Sequence, residues 1–296
     1  MEAGLEAPAL AEGHVFANLW AVHFDYPSVD YYGPGPNSHK QGRSDYLLEE
    51  TGVQATPGIQ PVAHLRLGAI GRYLMFNVGP GRDDTFADAN RLYSEQTTPG
   101  IQYQSNFLVG GGFLEYDWRD NPGAPRNGGN YIAQYTTYSD ALRGRYSFGR
   151  LDLEAQQYLG LFNRRRVIAL RGRIQATDPH GGNEVPFYLQ PTLGGSDDLR
   201  GYRAFRFYDN NSALLTAEYR WEVFHGLDMA LFSDAGQVFD RWRQINFRRL
   251  RTDFGFGFRL SANDQNFMRI DTAFSREGFA VWVKFGGLFE TPRWGK

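Results

Sequence analysis

Cysteine is absent from the 296 residues, which excludes disulfides, thiol catalysis and thiolate zinc sites. Long apolar runs are also missing. FLVGGGFL (107–114) is among the longest, far short of the roughly 18 residues that a spanning helix needs. Neither charge sign dominates: 31 basic and 33 acidic residues leave a net charge of -2, so no global field draws nucleic acid. Helical periodicity is scarce throughout. The six histidines (His14, His23, His39, His64, His180, His225) are scattered and show no metal-ligand spacing, so no metal or cofactor is expected. MEAGLEAPAL has neither a basic n-region nor an apolar h-region, so it does not read as a signal peptide.

What is present points to strands. Aromatics make up 16%, with 17 tyrosines and 23 phenylalanines, and there are 35 glycines. Alternation of apolar and polar residues recurs along the chain. Leu215, Ala217, Tyr219, Trp221 and Val223 share one face, against Thr216, Glu218, Arg220 and Glu222 on the other. Phe254, Phe256, Phe258 and Leu260 oppose Asp253, Gly255, Gly257 and Arg259. Phe279, Val281, Val283 and Phe285 line one side of the last segment.

About twelve strands are expected, at about 13–25, 44–56, 62–78, 105–118, 130–140, 147–161, 164–177, 212–224, 227–239, 251–262, 266–275 and 279–289. A soluble sandwich also alternates, but the polar face here is dense in charge. Arg171, Arg173, Asp152, Glu154, Glu218, Arg220, Glu222, Asp234, Arg259, Arg269 and Asp271 suit a wet lumen. Tyr219, Trp221 and Trp118 suit interfacial girdles. Connections tend to alternate between long and short, as in outer-membrane barrels, and an even strand count would put both termini at the short-turn end. The reading is an all-β, antiparallel transmembrane β-barrel over 13–289, between a tail at 1–12 and a second at 290–296.

One connection stands out. Residues 179–211 form a long segment with little strand patterning, and such loops are usually functional. At its centre is LGGSDDLRGYR (193–203). Folded into a barrel mouth, this loop would place the Arg200 guanidinium in a partly desolvated lumen, where carboxylates must accept its donors. Glu218 and Asp234, inward on the next two strands, are available. Gly201 would let the backbone turn tightly, Gly194 and Gly195 would serve the same bend, and Tyr202 would pack on the barrel wall. Asp197 and Asp198 read as loop solvation rather than an acid–base pair or a calcium site. GGSDD is not a nucleophile elbow, and Ser196 has no evident partners, so no enzyme is expected.

Arg200, Gly201 and Tyr202 match the "RGF/RGY" loop tip of the bacterial surface antigen family of outer-membrane barrels, the superfamily of the assembly factors BamA and TamA. EYDWRDNPGAPRNGG (115–129) resembles the family's "D-x-R-D-x-P" periplasmic turn, and VDYYGPGPNS (29–38) its "YYG-x-G" loop. FSREGFAVWVKFGGLF resembles its closing hairpin. The resemblance covers about 29–289. It implies a plug loop whose arginine contacts Glu218 and Asp234. It also implies a place in the bacterial outer membrane, among its lipid, and a part in protein insertion or translocation or in anchoring such a system. Unfolded outer-membrane proteins or periplasmic partners would be the clients, and nucleic acid would not. A passive pore and the barrel remnant of a patatin-like enzyme fusion are the alternatives.

The sequence departs from the family pattern as well. No POTRA domains precede the barrel, seven strands rather than eleven precede the long loop, and Phe289 is followed by ETPRWGK rather than ending the chain. The chain is therefore either a smaller barrel or the C-terminal part of a sixteen-stranded one.

Overall fold

A computed structural model describes residues 1–10, 14–262 and 265–286. Thirteen strands form one antiparallel sheet in which every strand pairs with its neighbour in sequence. Eight precede the long connection: β1 (Glu2–Leu10), β2 (Val15–Tyr31), β3 (Ser44–Val62), β4 (Leu65–Pro80), β5 (Phe107–Asp117), β6 (Gly128–Asp140), β7 (Phe148–Leu161) and β8 (Arg166–Pro179). Inside that connection, β9 (Thr192–Leu193) and β10 (Phe207–Tyr208) pair as a separate two-residue ribbon. Five strands follow: β11 (Asn211–Phe224), β12 (Leu227–Phe239), β13 (Arg251–Ala262), β14 (Gln265–Ser275) and β15 (Gly278–Phe285).

Alternation sorts the two faces. Leu215, Leu231, Phe254, Val281 and Phe285 are 53–73% exposed on the outer face, as lipid-facing side chains must be. Their neighbours Glu218, Arg220, Asp234, Arg259, Arg269 and Asp271 are at most 2% exposed on the inner face. A face that buries charge while its reverse shows aromatics to the exterior inverts the soluble pattern.

The sheet curls on itself. Lys284 of β15 pairs with Asp197 in the loop, and Lys40, just past β2, donates to the Glu277 carbonyl beside β15 at 2.7 Å. Among the described residues, β1 and β15 are not hydrogen-bonded to each other.

Two expectations need correction. Residues 1–12 are not all tail: Glu2–Leu10 form β1, which covers the lower part of β2 from Val15 to Val22. Its segment lacks aromatic and β-branched residues, so propensity gave no signal, and pairing with β2 decides its state. The sheet therefore has thirteen strands, eight of them before the long loop. Met1 meets His23, midway up β2, instead of lying at the short-turn end. The expected tail at 290–296 and the terminal Phe289 lie outside the described residues.

The long connections fall at one end: 32–43, 81–106, 141–147, 180–210 and 240–250. At the opposite end, the turn at 118–127 leans across the opening. Arg126 pairs with Asp228 of β12 at 2.8 Å, and the Pro125 carbonyl accepts from Arg220 at 2.8 Å.

Candidate functional site: the loop tip inside the barrel

Cross-strand register builds the receptor for the loop. Asp234 of β12 lies opposite Asp253 of β13, and Asp253 opposite Ser275 of β14. One step along the inner face, Glu218 of β11 lies opposite Phe232, Phe232 opposite Gly255, and Gly255 opposite Ala273. The next row carries Gly257 and Asp271. The glycines are spatial requirements. A Cβ at Gly255 would lie 2.5 Å from the Phe232 ring, and one at Gly257 would lie 2.2 Å from an Asp271 oxygen. The Phe/Gly alternation of β13 thus faces aromatics outward and clears a hollow inward.

Phe232, Asp271 and Arg259 take up that space, and Arg200 binds against Phe232 and Asp271. The Arg200 Nε and Nη2 donate to the two oxygens of Asp234 at 2.8 and 3.0 Å, a bidentate fork. Its Nη1 donates to Glu218 Oε2 at 3.0 Å and lies 3.6 Å from Asp271. The guanidinium carbon sits 3.4 Å from the Phe232 ring centroid, a cation–π contact in a dry setting. Arg259 bridges Glu218 and Asp271 at 2.7 and 2.6 Å. Four cations (Arg200, Arg220, Arg259, Arg269) thus surround three paired acids (Glu218, Asp234, Asp271), while Asp253, opposite Asp234, forms no ion pair among the described residues; all are at most 3% exposed. Burial of Glu218, Asp234 and Asp271 is tolerable because each finds opposite charge. Burial opposes the Arg200 charge, but Asp234, Glu218 and Asp271 outweigh it and hold its pKa above the ordinary arginine value.

The tip backbone is gripped as well. The Gly201 N–H donates to Asp253 at 2.9 Å, Ser275 Oγ donates to the Gly201 carbonyl at 2.7 Å, and Trp282 Nε1 donates to the Arg200 carbonyl at 2.7 Å. Gly201 is required for a different reason from the one its sequence context suggests. A Cβ there would lie 2.6 Å from Asp253 Cβ and 2.9 Å from Ser275 Cβ, so close approach demands glycine, not a turn. Gly194 and Gly195 do make the bend, at φ 115° and 113°. Tyr202 is buried with Leu193, Leu199, Phe207, Leu214 and Val238.

Asp197 is exposed, as a solvated loop acid would be, but both it and the half-buried Asp198 also form ion pairs. Asp197 pairs with Arg269 at 2.8 Å and with Lys284, and Asp198 pairs with Arg173. Burial opposes the Asp197 charge, but Arg269 and Lys284 prevail and keep its pKa below the usual value. For Asp198 burial prevails over Arg173, and its pKa is raised.

A second arginine escaped the sequence reading. Arg206, 1% exposed, donates to both oxygens of Glu277 at 2.8 Å and to Ser38 Oγ at 2.8 Å. Its partners lie 71 and 168 residues away, beyond the reach of any local pattern. Asp253, Ser275, Trp282 and Phe232 were missed too. The rule that selected Glu218 and Asp234, inward acids on the two strands after the loop, would have selected Asp253 if carried one strand further.

These contacts make a clamp for a loop, in the region where a known domain is recognised. The Omp85 superfamily domain matches residues 73–277, more than half of the chain. The chain belongs to the Omp85 superfamily. Two solved structures share the fold of this Omp85 chain. BamA from Haemophilus ducreyi lacking POTRA domains 1–3 aligns with a TM-score of 0.70 at 16% identity, over 96% of this chain and 60% of that one. CdiB from Acinetobacter baumannii aligns with a TM-score of 0.50 at 15% identity, over 93% of this chain and 45% of that one. The chain thus spans about half to three-fifths of these structures. No curated protein matches the sequence.

Proposed function

We propose that this chain is a non-enzymatic barrel of the bacterial outer membrane that promotes insertion or translocation of other outer-membrane proteins, or anchors a system that does. The observation that carries the reading is the Arg200 clamp, a loop tip locked to Glu218 and Asp234 within the Omp85-matched region. The edges of β1 and β15 add to it. Both carry backbone groups without a strand partner among the described residues, and such edges can template an incoming strand. The clients on this reading are unfolded outer-membrane proteins.

The lumen argues against a passive pore. The loop, its ion-pair cluster and an aromatic cluster around Phe187 and Tyr208 occupy the interior toward the long-loop end.

The test uses the chain reconstituted in liposomes, with a urea-denatured barrel protein added as client. Faster client folding than in empty liposomes is expected, together with little steady conductance in planar bilayers. Client folding at the empty-liposome rate, with the chain itself folded by its heat-modifiable gel mobility, sinks the insertion reading. Large, steady currents would replace it with the pore.

A further inference from the structure

The connection between β12 and β13, DRWRQINFRRL (240–250), gathers three exposed arginines without acidic partners among the described residues in one short segment, whereas elsewhere on the rim such arginines (Arg82, Arg203, Arg276) stand singly. Elsewhere at that end many basic side chains have acidic partners: Arg43 with Asp30, Arg91 with Asp88, Arg145 with Glu184 and Arg206 with Glu277. Arg243, Arg248 and Arg249 are exposed and have no side-chain partner among the described residues. Beside them in the chain, Trp242 is 53% exposed and Phe247 79%. Exposed aromatics beside unpaired arginines are costly to leave in water and suit a boundary between apolar and anionic surroundings.

The loop is held in shape, so these side chains are presented rather than trailing. Gln244 Oε1 accepts the Asp240 and Arg241 N–H groups at 3.1 and 3.2 Å. Asn246 N–H donates to Gln237 at 3.1 Å, and Asn246 Oδ1 accepts from the Arg248 N–H at 3.0 Å. The Trp242 ring packs 5.4 Å from Phe239.

The outer wall beside the loop continues the pattern. Phe254 lies near the start of β13, Phe274 near the end of β14 and Phe279 near the start of β15, all close to the long-loop end. Their rings lie 5.7 and 6.4 Å apart in sequence along the wall. Phe254 and Phe279 are 66% and 71% exposed, as an interfacial belt requires. An aromatic belt followed at once by a ledge of unpaired guanidiniums is the order of groups met on leaving the acyl region for a phosphate layer.

We propose that residues 241–249 dock on the membrane surface, with Arg243, Arg248 and Arg249 binding the phosphate groups of anionic lipid headgroups and Trp242 and Phe247 seated at the acyl boundary. Guanidinium matches phosphate as a planar fork, which favours phosphorylated headgroups over other anionic surfaces. The inference rests on the barrel crossing a membrane and is independent of the insertion reading.

Nanodiscs of phosphatidylcholine test it, carrying a minor fraction of chain-brominated phosphatidylglycerol or, in parallel, brominated phosphatidylcholine. Trp242 emission is isolated as the difference between the full chain and Trp242→Phe. Quenching by brominated phosphatidylglycerol should exceed that by brominated phosphatidylcholine several-fold, since each surface arginine contributes roughly a factor of five toward an anionic surface before screening. The preference should vanish in the Arg243→Gln, Arg248→Gln, Arg249→Gln triple variant, whose heat-modifiable mobility should match the parent. It should also shrink at about 1 M salt. Equal quenching by both lipids, or a preference that survives in the triple variant, overturns the proposal. So does tighter binding of an acidic polypeptide that displaces the lipid. Absence of quenching for every tryptophan would remove the membrane-spanning reading, and this proposal with it.

Discussion

The two sides of the lumen hold the same loop by opposite chemistry. On the β2–β7 side, Phe187, Tyr188 and Tyr208 of the loop pack with Tyr31, Tyr46, Phe76, Phe107, Tyr138 and Phe148 in one buried aromatic cluster. On the β11–β15 side the loop meets charge: Arg200, Asp197 and Gly201 against Glu218, Asp234, Asp253, Arg269 and Lys284. Aromatic packing is broad and tolerant of small displacements, whereas a bidentate ion pair accepts one geometry. The stem of the loop is therefore located by shape and its tip by register.

Breaking the charged side should have the largest effect. Arg200→Ala leaves Glu218, Asp234 and Asp271 buried without their shared cation, and should destabilise the barrel by about 3–5 kcal/mol, toward the upper end. Urea unfolding in detergent would measure it, and a loss below about 1 kcal/mol would show that the cluster re-pairs through Arg259. On the aromatic side, Phe187→Ala removes a fully buried ring that meets Tyr31 at 5.2 Å and Tyr46 at 4.8 Å. About 3–4 kcal/mol should be lost by the same measurement, with little dependence on pH. A loss equal to that of Arg200→Ala, with the same pH profile, would erase the distinction between the two sides.

The smallest effect sharpens the comparison at the junction between loop and β11. Burial pushes the Asp209 carboxyl up to about 6, with Asp240 adding to it and the Asn210 N–H opposing. The folded protein then holds this proton more tightly than the unfolded chain. Asp209 favours the fold below about pH 4, and its contribution is lost as pH rises through about 6. Asp209→Asn should gain about 1–2 kcal/mol at pH 7 relative to the parent and lose that gain near pH 4. Urea midpoints at the two pH values decide it, and a gain of the same size at both refutes it.

The sequence made twelve of the thirteen strands legible because most alternate apolar, lipid-facing residues with polar or charged, lumen-facing ones. β1 was illegible because EAGLEAPAL offers only small side chains and two glutamates, and its state depends on an edge supplied by β2. The ribbon of β9 and β10 is two residues per strand, too short for any period to register. Within the site, Arg200 and its partners could be matched because a loop arginine and inward acids on the next strands each follow from local pattern. Arg206, Phe232 and Trp282 could not. Their roles arise from where a curled sheet and a folded-back loop place them, a long-range outcome that residue spacing does not encode.

The loop reaches both walls at once. Its stem is fastened to β2 and β3 through Tyr208, whose hydroxyl meets Tyr46 at 3.2 Å and the Asp30 carbonyl at 3.2 Å. Its tip is fastened to β11, β12 and β15. A member tied at both ends across a cylinder acts as a spoke and sets the bore. The distance between the β2–β3 wall and the β11–β15 wall is therefore fixed from within.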